Sequence, residues 1–168
     1  VINKVIKRGG TLIVPVFSLE KTQVFLKELN DLIEDKEVPS VPVFFDSPLG
    51  IKLTAVYSQF TDYFNKSVQK EIQEGDDIFD FPKLKMTMKR SESESIDRNS
   101  GPKIIIASSG ISEGGRITAH EKRFLPEQKN ALLLIGYQIA GSAGRRIQEG
   151  RKRVRIGKDW VNIKAEVI

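Results

Sequence analysis

Cysteine is absent from the 168-residue chain, and histidine occurs once, at His120. Without thiols there is no disulfide, no thiolate metal ligand and no cysteine nucleophile. A catalytic zinc centre is ordinarily built from several imidazoles with carboxylates, and a single histidine cannot supply them. Long apolar runs are missing too. The longest, Ala131 to Ile135, has the length of a strand and not of a membrane span. No basic-then-apolar signal segment opens the chain, so a cytoplasmic protein with no membrane association is expected. What remains is ordinary for a globular domain, 39% hydrophobic and 29% charged, with length enough for one α/β core.

The formal net charge of +5 is unevenly placed. Residues 1–113 hold 15 Lys and Arg against 17 Asp and Glu, whereas residues 114–168 hold 12 against 5. A basic final third fits a polyanionic partner, with RNA or DNA the usual one. A solvated basic face, or a dock for an acidic protein, fits the charge equally well.

Strand-like and helix-like segments alternate, as in a parallel sheet with crossover helices. A helix over Ile2 to Lys7 runs into Gly9-Gly10, and Thr11 to Phe17 reads as a buried strand. Ser18 offers an N-cap to a helix whose apolar stripe is Val24, Phe25, Leu29, Leu32 and Ile33. Val41 to Phe45 is the second strand. Ser47 followed by Pro48 starts the next helix, with a stripe of Leu53, Val56, Tyr57, Phe60 and Phe64. Leu84 to Met88 reads as an edge strand, and Ser91 with Glu94 as a capping box. Lys103 to Ala107 is a strong strand, Thr118 to Leu125 a short helix, and Ala131 to Ile135 a further strand. A helix from about Ala143 ends at Gly150. Arg153 to Ile156 and Trp160 to Val167 then alternate toward a hairpin that leads out of the domain. The reading is a doubly wound, mainly parallel α/β fold with helices on both faces, residues 1–152, followed by exit strands over 153–168.

In an open parallel sheet, ligands bind beyond the carboxyl ends of the strands. Four such ends carry polar or small residues: Phe17-Ser18, Asp46-Ser47, Ser108-Ser109-Gly110 and Gly136-Tyr137-Gln138. Each precedes a helix whose first N–H groups can meet an anion, though turns of this kind need glycines and caps for structural reasons alone. Asp46 suits a general base, a metal ligand, a phosphoacceptor or a cap. Ser108 and Ser109 lack a histidine nearby in sequence, and His120 reads as a surface or groove residue. Arg116, Arg145 and Arg146 flank the glycine loops, where guanidinium can grip phosphate. Tyr137 could stack on a base or pack at the sheet edge. Gly114-Gly115 and Gly141-x-x-Gly144 do not have dinucleotide-fingerprint spacing.

Taken in order, five stretches resemble the β-CASP family of RNA-processing nucleases, which includes ribonuclease J-like enzymes and the pre-mRNA 3′-end cleavage factor. The first three are Gly10 to Leu19 with Gln23, Val41 to Leu49, and Gly101 to Gly110 with Gly114-Gly115-Arg116. The fourth joins Gly136-Tyr137-Gln138, Gly141 and Gly144-Arg145-Arg146, and the fifth is Lys164 to Val167. The resemblance implies a Rossmann-like β-CASP domain inserted in a metallo-β-lactamase domain that carries two zinc ions. It implies a clamp on single-stranded RNA, with Ser108, Ser109, Gly110, Arg116, Tyr137, Gln138 and Arg145 toward the RNA and Phe17, Asp46, Ser47 and His120 lining the cleft. No catalytic residue, metal ligand or cofactor is expected in the chain itself. The family's His-x-His-x-Asp-His motif is missing, Glu20-Lys21 stands where relatives often have Gly-Arg, and Ser142-Ala143 where they often have Thr-Leu. Both ends are expected to fall at the seams with the metallo-β-lactamase domain, and a homodimer is left open. A stand-alone RNA or protein adaptor and an Asp46-centred metal-assisted phosphatase are the alternatives.

Overall fold

The computed structural model describes residues 1–168. Its frame comes from the β-branched and aromatic runs. These form β1 (Thr11–Pro15), β2 (Val43–Asp46) and β4 (Lys103–Ala107), buried on both faces along their length. Three shorter strands, β3 (Leu84–Met86), β5 (Ala131–Leu132) and β8 (Glu166–Val167), complete a six-stranded sheet in the order β3-β2-β4-β1-β5-β8. Every pairing in it is parallel. Strands β6 (Arg153–Ile156) and β7 (Asp159–Asn162) form a separate antiparallel hairpin.

Alternation along the strands sends successive side chains to two cores. Leu12, Val14, Val43, Phe45, Ile104 and Ile106 pack on one side with Val5 of α1 (Ile2–Lys7) and with Leu26 and Leu29 of α2 (Lys21–Glu34). The helices α3 (Pro48–Tyr57) and α4 (Lys66–Gln73) add partly buried Ile51, Val68 and Ile72 to that side. Ile13, Phe44 and Ile105 pack on the other, with Ile117 and Phe124 of α6 (Ile117–Phe124) and Ile147 of α7 (Ala143–Gln148). Helices thus cover both faces, as the alternating sequence pattern predicts. Each fully buried aliphatic side chain contributes about 1.5–3 kcal/mol by leaving water. No helix is long and apolar enough to cross a membrane.

Several expected boundaries move, for identifiable reasons. The strand foreseen over Ala131 to Ile135 pairs only at Ala131 and Leu132. Leu133 N still donates to Ile13 O, but the next ladder bond would need an N–H at Pro15. The helix α2 starts at Lys21 and not at Ser18, because Glu20 has a φ of 67°. Its buried face carries Thr22 and Gln23 while Val24 is exposed. Helix α3 ends at Tyr57, so Phe60 lies beyond it, and Val56 within it faces solvent; both are exposed rather than in a stripe. The N-terminal bond of α5 (Arg90–Ser95) is made by Glu92, whose Oε2 accepts from the backbone N–H of Met88 and Lys89, both at 2.8 Å, rather than by Ser91 with Glu94.

The final segment packs against the sheet. Val154, Ile156, Val161, Ile163 and Ala165 are buried in the second core, and β8 pairs with β5 as the sixth strand. Glu166 then accepts from Lys4 and from Arg8 at 2.7 Å each, tying the last strand to the first helix. The second core therefore runs without a break across residue 152.

Candidate functional site

The carboxyl ends of β1, β2 and β4 converge as the strand order requires, and three serines meet there. Ser47 Oγ lies 2.7 Å from Ser108 Oγ and 3.2 Å from Ser18 Oγ. Ser47 also caps α3, accepting from Gly50 N at 3.1 Å, as the Ser-Pro pair predicts. Ser18 joins this chain of hydroxyls instead of capping a helix. The first turn of α2 holds the loop in place, with Thr22 Oγ1 donating to Phe17 O at 2.6 Å and Gln23 Nε2 donating to Ser18 O at 3.2 Å. Phe17 is 40% exposed and its ring approaches Gly110 and Gly136, where an added Cβ would lie 2.8 Å and 3.4 Å from it.

Gln138 is buried and locks two of these loops together. Its Nε2 donates to Gly110 O and to Gly136 O, both at 2.9 Å. The sequence suggests an RNA-facing amide here; the structure turns it inward, where it positions the Ser108–Gly110 and Gly136–Gln138 loops. The cradle is tight. A Cβ on Gly144 would meet Gln138 Oε1 at 1.9 Å, and one on Gly115, whose φ is +66°, would meet Ser108 O at 2.2 Å. Ser109 Oγ donates to Glu113 O at 2.6 Å. Glu113 Oε1 in turn accepts from Ala143 N at 3.0 Å, and Ser142 Oγ accepts from Arg145 N at 3.1 Å. The first N–H groups of α7 thus have partners, and those of α6 begin with Ile117 N donating to Ser108 O at 3.0 Å. At these two helix starts the N–H groups of Ile117, Ala143 and Arg145, where an anion was expected, are engaged within the protein.

Asp46 and His120, expected to line the cleft, are buried beneath it. Asp46 Oδ1 accepts from Thr87 Oγ1 and Arg116 Nη1, both at 2.5 Å. Its Oδ2 accepts from Ser93 Oγ at 2.5 Å and from His120 Nε2 at 2.7 Å. Burial pushes the Asp46 carboxyl up, but bonds from His120, Ser93, Thr87 and Arg116 outweigh it and hold the pKa down at about 2. A carboxylate has about four acceptor positions, and here four donors fill them. Arg116, expected to grip phosphate, also donates to Thr87 O at 2.8 Å and Met88 O at 2.7 Å. This hub joins β2, the end of β3, α5 and α6. Its four donors occupy the acceptor positions of Asp46 within the protein.

A second buried carboxyl is not evident from the sequence pattern of strand ends. Glu121 is fully buried, accepts from Ser112 Oγ at 2.5 Å, and has no partner for Oε2. Burial pushes its pKa up to about 8 against the opposing Ser112 bond. Spacing carried the signal, since Ile117, Glu121 and Phe124 fall on one helical face. His120 lies beside that stripe and is buried with it. Thr87 and Ser93 gave no comparable signal, because nothing local distinguishes a hydroxyl that reaches a carboxylate more than forty residues away.

The groups left facing solvent are Ser108 and Ser109, both half-buried, Phe17, Tyr137 at 74% exposure, and Arg145, whose Nε donates to Glu149 at 2.7 Å. Hydroxyls, an aromatic ring and a guanidinium make a surface suited to phosphate and base contact. A zinc centre does not fit the residues present. No group of three or more His, Asp or Glu side chains could hold a metal ion, and His120 has its Nε2 on Asp46.

A parallel six-stranded α/β sheet with tight glycine loops over its carboxyl edge defines a Rossmann-like domain. Residues 22–147 match the Beta-Casp domain, and the chain belongs to that family. It is 30% identical, over 99% of its length, to a Thermus thermophilus protein named a ribonuclease. It is 32% identical over 99% of its length to an RNase J-like protein of Methanocaldococcus jannaschii, and 32% identical over 92% to the transcription termination factor FttA of Methanosarcina mazei. The chain spans 38%, 38% and 24% of the lengths of these three relatives.

Proposed function

We propose that this chain is the RNA-gripping domain of an RNA-processing ribonuclease. The observation that carries the reading is the strand-end surface itself, where Ser108, Ser109, Tyr137 and Arg145 stay accessible while Gln138 and Asp46 fix the loops beneath them. Single-stranded RNA fits better than duplex, because the exposed Tyr137 ring offers a stacking face to an unpaired base. Hydroxyls and the free Nη donors of Arg145 meet the phosphates. The names of the relatives support RNA as substrate class. Hydrolysis by two zinc ions belongs, in this reading, to a metallo-β-lactamase domain of the same parent protein, since the one histidine here is bound to Asp46.

Binding of labelled single-stranded RNA across a salt series tests the reading, with Tyr137→Ala/Arg145→Ala as the variant. Both side chains are outside the core, so the fold is retained. Affinity falls on the order of tenfold or more, and the salt slope flattens by about 0.7, the share of a single phosphate neutralised by Arg145. Equal binding by variant and wild type at every salt concentration contradicts the reading.

A further inference from the structure

Ten arginines are present, and five of them pair with a carboxylate: Arg8, Arg90, Arg116, Arg123 and Arg145. Of the five that do not, four line one groove: Arg146, Arg151, Arg153 and Arg155. The same groove holds the only tryptophan, Trp160, which is 62% exposed. Its volume is about 430 Å³. Glu149 also borders it, but that carboxylate is already bonded to Arg145 Nε at 2.7 Å. Cations left unpaired around a large exposed ring are unfavourable in an isolated protein, through mutual repulsion and through apolar surface left in water.

The β6–β7 hairpin fixes this arrangement. Val154 pairs with Val161 across the ladder on its buried side, so Arg153, Arg155 and Trp160 are turned outward, with Arg155 directly opposite Trp160. The Arg153 guanidinium lies 5.4 Å from the Trp160 ring, presenting the ring beside a charge. Arg153 and Arg155 are two residues apart on one strand, a spacing of about 7 Å that suits consecutive phosphates of an extended strand. Gly141, which follows the Tyr137 loop, also lines the groove, so the strand-end surface continues into it.

We infer that this hairpin groove is a further single-stranded RNA site, in which Trp160 stacks on a base while Arg146, Arg151, Arg153 and Arg155 hold the adjoining phosphates. It rests on the reading of the chain as an RNA-gripping domain and extends the RNA path beyond the strand-end loops. An exposed ring selects unpaired bases, since in a duplex their faces are stacked on one another.

Because Trp160 is the only tryptophan, its fluorescence reports on the site directly. Titration of the full chain with oligouridylate should quench Trp160 emission saturably. Trp160→Leu should lower affinity on the order of 5- to 100-fold. Arg153→Ala/Arg155→Ala should flatten the salt slope by about 1.4, the share of two single-strand phosphates. RNA bound through Tyr137 and Arg145 with unchanged Trp160 emission overturns the inference and leaves the strand-end reading standing. Equal quenching by duplex RNA of the same length overturns the stacking site, and displacement of RNA by polyglutamate at equal affinity makes the groove a dock for an acidic protein instead. Absence of RNA binding in both emission and labelled-RNA assays removes both readings together.

Discussion

Replacing Glu121 with Gln isolates one buried proton. Glu121 has its pKa raised from 4.5 to about 8 by burial, so the folded chain keeps this carboxyl protonated at neutral pH. Unfolded, the same group ionises above its ordinary value. The sign follows from proton uptake. Below pH 4.5 both states hold the proton and nothing changes. Between there and about pH 8 only the folded state holds it, so stability falls as pH rises, by about 1.4 kcal/mol per unit. From about pH 5 to pH 7.5 this one group removes about 3 kcal/mol, a large share of a typical domain's 5–15 kcal/mol. Glutamine is nearly isosteric with the neutral acid, can accept from Ser112 Oγ through its carbonyl, and does not ionise. Urea unfolding at both pH values should show wild type losing about 3 kcal/mol more than Glu121→Gln, with unchanged m-values. All other titrating groups are common to both proteins and cancel. Parallel losses in the two proteins would refute the assignment of a protonated, enclosed Glu121.

Asp46 gives the opposite limb. Its pKa is lowered from 3.8 to about 2, so its stabilisation is present above pH 3.8 and is lost as pH falls through about 2. Asp46→Asn should abolish about 2 kcal/mol of that acid dependence and destabilise the protein at neutral pH, read by thermal unfolding from about pH 2 to 7. Gly115→Ala and Gly114→Ala form a matched pair, since both glycines have positive φ but only Gly115 would set a Cβ against the Ser108 carbonyl. Gly114→Ala should cost about 1 kcal/mol, and Gly115→Ala distinctly more, with weaker RNA binding as the Ser108 loop shifts. Equal stability of the two variants would remove the close packing of Gly115 under that loop.

How far the sequence could be read depended on the range of the signal. Buried strands β1, β2 and β4 announced themselves as β-branched runs, and the α3 start as Ser47-Pro48, because burial and capping act over a few neighbouring residues. The short reach of β5 was written at Pro15, on another strand, and became visible only once the two were paired. Membership of the family was legible from the strand-end motifs, whose order reflects the chain's path through the sheet. Orientation was not. Asp46, Arg116, His120 and Gln138 were identifiable as residues with chemistry, yet their partners Thr87, Ser93, Gly110 and Gly136 include groups from distant parts of the chain. Side chains that must satisfy buried polar groups are decided by tertiary geometry, which no local pattern encodes.

That inward turn bears directly on what the chain can contribute to a reaction. A general base needs a pKa near the working pH and access to the proton it removes. Asp46, saturated by four donors and held at about 2, meets neither condition. Glu121 has a suitable pKa, but it is enclosed and its carboxyl hydrogen-bonds to Ser112 alone among side chains. The solvent-facing residues are instead hydroxyls, exposed rings and unpaired guanidinium groups, running from Phe17 and Ser108 past Tyr137 to Trp160. Such groups bind phosphate and base without transferring a proton. In the proposed reading, a surface of this composition, supported from below by saturated polar hubs, holds a strand in register for chemistry performed by other residues. It is on this division of labour that the proposal of an RNA-gripping domain stands.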